Sequence, residues 1–322
     1  MEREQYRDEL RLFAYLMSGS LGESESMTDQ VLDAEAGESC SGETDIRVLL
    51  HARAVATFLE RLASRPRRSL PSLRQPPSDP ALPPEQGSET DAWVEPFPDD
   101  FFPDALKAPD PPREYSAREC ISLYMSAALQ DIDPRARAAF ILCDLFGWPA
   151  SLARAALTTE APELQPALDD TRETIKRSYL RDLGRRLPPP DSVATALSMR
   201  YLHPWEAADL ESLMARLTTD VVFQSPPSSS WYRGAGAFRR FAGEHLLPDG
   251  SCGHWRLLPI RASGQLGFGA YRLDKSRRLY LAHSIHVLYF DEDLITELVC
   301  ITDADLFPLF GLLPEVVVQG FI

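Results

Sequence analysis

Two histidines three positions apart, His283 and His286, lie in the stretch YLAHSIHVLYF (280–290). An imidazole with an ordinary pKa of about 6.5 is the natural proton shuttle at neutral pH. The alternation of apolar residues reads this stretch as a strand. Side chains along a strand point to alternate faces, so residues three apart face opposite sides unless a bulge intervenes. At most one of the pair can therefore line a cavity. His286 is favoured because Leu288 and Phe290 share its side. A satisfied core or surface histidine is the other reading of each. Two carboxylates are further acid–base candidates: Asp220 opens one apolar run and Asp303 follows the last. The plainer reading makes Asp220 a turn residue and Asp303 a helix N-cap.

Binding groups cluster in the same part of the chain. Five of the six histidines follow residue 200. So do Tyr201, Trp205, Trp231, Tyr232, Trp255 and Tyr271, which are candidates for lining an apolar cavity with Trp231 and Tyr232 at its mouth. The same aromatics serve equally well as plain core filling. Arg256 either grips a carboxylate or enolate or lies on a solvated outer face. No His pair joins an Asp or Glu at metal-ligand spacing, and the five cysteines are scattered. No metal and no cofactor is expected.

The elements that must position these groups follow from periodicity. Strands are expected at 221–225, 254–262, 266–273, 280–290 and 294–302, with helices at 193–217 and 234–246. Helices followed by a curved antiparallel sheet make an α+β cone around a pocket. Upstream, the pattern is all-α: helices at 5–18 and 45–63, then at 116–130, 133–146, 149–158 and about 163–184. Residues 20–45 are polar and acidic, with only Met27, Val31 and Leu32 as apolar anchors, so only a short helix around 26–36 is expected. Residues 64–115 hold 13 of the 27 prolines and read as a linker. Its aromatics Trp93, Phe97, Phe101 and Phe102 are costly to expose and should pin it to a folded neighbour.

Charge narrows the partners. The formal net charge is −15 and the pI about 4.9. Residues 1–63 hold 6 Lys/Arg against 13 Asp/Glu, and no segment is net basic. DNA affinity rests largely on phosphate neutralisation, so DNA binding is not expected. No apolar run approaches the ~18 residues of a membrane span, and the charged opening MEREQYRDEL has no secretion-signal core. A cytoplasmic protein without membrane association is expected.

Residues 131–175 (IDPRARAAFILCDLFGWPASLARAALTTEAPELQPALDDTRETI) resemble the promoter-reading helix-turn-helix of a bacterial sigma factor, with a corner at Gly147. TDAWVEPFPDDFF (90–102) resembles the linker, and RYLHPWEAADLESLMARLTTDVVF, WYRGAGAF and ITDADLFPLFGLLP resemble the C-terminal SnoaL-like domain, of one group of extracytoplasmic-function sigma factors. The resemblance implies a degenerate first sigma domain over 1–63, the linker over 64–115, a second sigma domain with a degenerate helix-turn-helix over 116–186, and a SnoaL-like domain over 193–322. The recognition helix starts with Glu160, Ala161, Pro162 and Glu163, contains Pro166, and continues into Asp169 and Asp170. Interruption at Pro166 and repulsion of phosphate are expected. SnoaL-like cyclases use a pocket carboxylate or histidine as acid–base catalyst. The favoured reading is thus a repurposed sigma-like scaffold whose pocket binds and transforms an apolar, polyketide-like small molecule, by cyclase or isomerase chemistry or by shape alone. The alternative is a sigma factor or sigma-like regulator acting with RNA polymerase.

Overall fold

The computed structural model describes residues 3–34, 46–62, 65–85, 87, 91–107, 117–158, 161–179, 188–248 and 250–317. These fall into two compact units. One lies within Met1–Ser69 and Asp99–Arg181, the other within Leu70–Pro98 and Asp182–Ile322.

The first unit is helical. Helix α1 (Arg7–Ser18) ends at Gly19, whose φ of 70° lets its N–H turn back to the Tyr15 carbonyl. Ser20 then caps α2 (Leu21–Asp33) by accepting the Glu23 N–H, so one residue pair makes the whole corner. Helix α2 corrects the expectation of a short helix around 26–36. It starts earlier because two hydroxyls on its buried face are satisfied locally: Ser24 donates to the Leu21 carbonyl and Thr28 to that of Ser24. Helix α3 (Ile46–Leu62) buries Val48, Leu50, Ala54, Val55 and Phe58.

Helices α4 (Leu123–Gln130), α5 (Pro134–Phe140), α6 (Ala150–Leu157) and α7 (Ala161–Ser178) complete this unit. Asp133 caps α5, with Pro134 at the first helical position. A π-helical turn (Ile141–Leu145) prolongs α5 towards the Gly147 corner (φ 69°). The two halves of the unit share one core. Phe13 of α1 and His51 of α3 meet Phe146 edge-on, and His51 meets Trp148 at 4.8 Å. Helix α7 runs unbroken through Pro166, which corrects the expected interruption. Pro166 lies on the exposed side, where the helix can tolerate the ring and the missing backbone bond. Glu160 lies outside the described residues.

The second unit is an α+β cone. Helices α8 (Asp191–Ala207), α9 (Leu210–Met214) and α10 (Ala235–Phe241) accompany strands β1 (Leu217–Gln224), β2 (Trp231–Arg233), β3 (Trp255–Ala262), β4 (Gln265–Asp274), β5 (Leu279–Asp291), β6 (Leu294–Ile301) and β7 (Glu315–Val317). The seven-stranded sheet runs β2-β1-β6-β5-β4-β3, with β7 on β5. It is antiparallel except for the parallel β1–β6 pair. Bulges between β4 and β5 and between β5 and β6 help to bend it.

Both faces of the sheet are covered. The inner face packs Phe223, Trp255, Phe268, Leu288 and Leu298 against Tyr201 and Trp205 of α8 and Phe238 and Phe241 of α10. On the outer face, Ile285, Val287, Val299 and Ile301 are also buried. The segment 304–310 crosses it there, with Phe307 edge-on to Tyr271 at 5.0 Å. Gly269 lies under Leu312 and Phe307 on that face, and a Cβ there would push the Leu312 side chain aside. Part of the Pro-rich linker belongs to this unit. Phe97 is fully buried and exchanges hydrogen bonds with Ser263 (3.0 and 2.7 Å), while the Ser72 N–H reaches Gln224. Phe101 and Phe102 belong to the helical unit, where the Arg11 guanidinium sits 4.1 Å over the Phe101 ring.

Candidate functional site

The inner face of the cone gathers a small polar chain inside an aromatic shell. Strand β5 sets His286 opposite Phe268 of β4 and Cys300 of β6. Tyr201, on α8, holds its hydroxyl 2.9 Å from His286 Nδ1. Ser284 Oγ lies 2.9 Å from Nε2 and 3.1 Å from His283 Nδ1. The chain is therefore Tyr201–His286–Ser284–His283. Around it, Trp205 lies 5.1 Å from His286, and Trp255 is edge-on to both His283 (5.0 Å) and Trp205 (5.6 Å).

The two histidines share a face, against simple parity. Ser284 pairs with Ala270 and Ala282 with the next residue, Tyr271, so His283 is the extra residue of a bulge. That bulge carries the imidazole round to Ser284. Alternation alone does not reveal it.

Burial sets the protonation of this chain. It pushes His286 down to about 3, with the neighbouring His283 adding a little. Burial and the Arg272 charge take His283 down to about 4. Burial also raises the Tyr201 phenol and the Cys300 thiol well above their ordinary values. At neutral pH the chain is therefore uncharged throughout. With Tyr201 donating to Nδ1, the ring proton of His286 sits on Nε2 and is donated to Ser284. A general acid works best with a pKa near the working pH. A pKa of about 3 leaves roughly one imidazole in 10⁴ protonated at pH 7. The chain is closed on itself, with both ring nitrogens of His286 occupied, and its low basicity disfavours proton transfer.

The other candidates disperse. Trp255 is buried and donates from Nε1 to the Leu246 carbonyl (2.8 Å). Tyr232 stacks on Phe241 at 4.6 Å within the inner core. Trp231 is held by the linker: its Nε1 donates to the Gln75 carbonyl (2.9 Å), and its own carbonyl accepts the Ser78 N–H. Arg256 points outward to Glu206 (3.2 Å). Tyr271 lies on the outer face and donates to the Leu313 carbonyl (2.9 Å). Asp220 is exposed on β1. Asp303 caps the 304–310 turn by accepting the Asp305 N–H (2.9 Å). Sequence reasoning passed over Ser284 and Cys300, which carry no motif and join the site only through strand register.

The helical unit offers a second surface. Helix α7 buries Leu164, Leu168, Thr171 and Ile175 and exposes Glu163, Asp169, Asp170, Glu173, Lys176 and Arg177. Arg172 is committed to Asp144 by two 2.8 Å bonds and to Asp169 by one of 3.0 Å. Both helices α6 and α7 are formed, and the outer face of α7 is more acidic than basic. No described helix is long and apolar enough to cross a membrane.

No protein-family model matches the chain. The ECF RNA polymerase sigma factor SigG of Mycobacterium tuberculosis, in strains CDC 1551 / Oshkosh and ATCC 25618 / H37Rv, is 32% identical over 313 residues, covering 96% of this chain and 82% of SigG. The crystal structure of the M. tuberculosis extracytoplasmic function sigma factor SigJ superposes with a TM-score of 0.59 at 19% identity, over 95% of this chain and 97% of that one, which shows a shared fold. A SnoaL-like protein of unknown function from Burkholderia thailandensis E264 aligns with 36% of this chain and 99% of its own, at 17% identity and a TM-score of 0.22. By the extent and identity of the SigG match, the chain belongs to the extracytoplasmic-function RNA polymerase sigma factors.

Proposed function

We propose that the chain acts on RNA polymerase as a transcription factor and carries its cone as a receptor domain for an apolar small molecule. The observation that supports this reading is α6–α7. The second helix is continuous over 18 residues with a fully buried inner stripe, although Pro166 predicts a break. A scaffold kept in that condition suits a working partner surface better than a relic. The acidic outer face makes duplex DNA a weak partner and leaves polymerase as the stronger one. The aromatic shell around the neutral Tyr201–His286–Ser284 chain supports an apolar ligand, whose polar group would compete for one of the chain's own hydrogen bonds.

The test uses the full-length chain with core RNA polymerase. Co-elution on size exclusion is expected. Its absence overturns the reading.

A second reading, a cyclase or isomerase in the cone, draws on the same buried chain. It predicts that His286→Ala or His283→Ala lowers turnover of an aromatic polyketide about 10²-fold or more. Unchanged turnover in both variants removes proton transfer by this strand.

A further inference from the structure

The hairpin that joins β4 to β5 is basic in an acidic chain. Arg272, Lys275, Arg277 and Arg278 are all exposed there, whereas the formal net charge of the chain is −15. Two carboxylates lie with them, Asp274 and Glu315. Asp274 is occupied inside the loop, where it accepts from the Ser276 N–H (2.8 Å), the Ser276 hydroxyl (2.6 Å) and the Arg277 N–H (3.1 Å). Glu315 of β7 takes the Arg277 guanidinium (2.7 Å). Arg256, near the start of β5, is paired with Glu206 (3.2 Å) and adds no net charge. Among the described residues, the Lys275 and Arg278 side chains form no ion pair and no hydrogen bond. Arg272 leans over the Trp255 ring at 5.9 Å.

The other end of β5 carries the opposite charge, in the turn Asp291-Glu292-Asp293. Strand β5 is 13 residues long, so at about 3.3 Å per residue the two turns are separated by roughly 40 Å of strand. That is several times the Debye length of about 8 Å at physiological salt. The acidic turn therefore does not cancel the field of the basic one.

We propose that this hairpin is a contact surface for the phosphate backbone of duplex DNA, without base reading. Guanidinium groups match phosphate oxygens in pairs, and a lysine adds a mobile point charge. A two-stranded ribbon is narrow enough to enter or follow a DNA groove. Asp274 and the Arg277–Glu315 pair hold the loop in one shape, which lowers the ordering cost of contact. Nucleic acid is favoured over a protein partner because residues 275–278 carry no apolar side chain, whereas the core of a protein interface is apolar and depleted of charge. The contact is separate from α7, whose outer face is acidic, and does not depend on polymerase.

The test is fluorescence anisotropy of a labelled 25-base-pair duplex with the full-length chain, from 20 to 200 mM salt. A Kd below about 100 μM is expected at 20 mM salt. With Arg272, Lys275 and Arg278 each neutralising one phosphate, log K against log salt should fall with a slope of about −2.7. Lys275→Gln with Arg278→Gln should reduce the magnitude of that slope by about 2 and weaken binding at least tenfold at 20 mM salt. Arg233→Gln with Arg240→Gln removes the same charge from another exposed part of the cone and should leave the slope unchanged. Circular dichroism confirms the fold of each variant. No binding at 20 mM salt, or equal losses in the two double variants, overturns the proposal. Displacement of the duplex by poly-L-glutamate at equal charge concentration also overturns it, in favour of an acidic protein partner.

Discussion

The Tyr201 hydroxyl lies 2.9 Å from His286 Nδ1, joining α8 to the middle of β5 across 85 residues of chain. This bond ties a helix to the inner face of the sheet at its most aromatic point. Tyr201→Phe keeps the ring packed on Phe268 (5.0 Å) and removes only the hydroxyl. The buried imidazole then loses its Nδ1 partner, which costs about 1–3 kcal/mol. Urea unfolding measures it. A change under ~0.5 kcal/mol would show that the hydroxyl adds nothing to packing.

His286 and His283 make stability pH-dependent in a stated direction. Their folded values, about 3 and about 4, lie below the unfolded value of about 6.5. Below pH 6.5 the unfolded chain takes up protons that the folded chain refuses. The contribution is therefore complete above pH 6.5 and is lost as pH falls towards 4 and then 3. Between pH 7 and 5, His286 alone accounts for about 2 kcal/mol. His286→Gln should lose less stability than the parent over that interval, by about that amount. Parallel losses in the two proteins would contradict a neutral buried imidazole.

The longer strands are legible in the sequence because alternation survives along each of them. Two three-residue strands, Trp231–Arg233 and Glu315–Val317, are too short to show a period. Helix α2 is hidden because Ser24 and Thr28 occupy its buried face, and only their local hydrogen bonds explain how polar side chains can lie there. His286 is legible as an interior residue from Leu288 on the same side. His283 is not, because the bulge that turns it inward is a property of the β4–β5 register. Tyr201 is legible as an aromatic of a helix but not as the partner of a histidine.

The linker residues Phe97 and Trp93 should differ sharply. Phe97 is fully buried, and its backbone is bonded on both sides to Ser263. Trp93 is half-buried and donates from Nε1 to the Pro227 carbonyl (3.1 Å). Phe97→Ala should cost about 3–5 kcal/mol, and Trp93→Ala roughly 1 kcal/mol. Denaturant midpoints at constant m compare them. Equal costs would mean that the linker is not anchored chiefly at Phe97.

Helix α7 should be limited on DNA by charge, not by shape. Its backbone is complete, so removing carboxylates should restore affinity without any change of fold. Asp169 is a poor choice, because Arg172 and Gln165 already occupy it (3.0 and 2.9 Å). Asp170 and Glu173 are exposed on the outer face. A unit charge about 4 Å from a phosphate in water is worth roughly 1 kcal/mol. Asp170→Asn with Glu173→Gln should therefore raise affinity for a 25-base-pair duplex by up to about 30-fold at low salt. The gain should shrink as added salt shortens the Debye length from about 30 Å to about 8 Å. Fluorescence anisotropy at 10 and 150 mM salt reads both quantities. An unchanged affinity at low salt would mean that duplex DNA does not approach this face. A gain that persists undiminished at 150 mM would mean that the substitutions act by something other than charge.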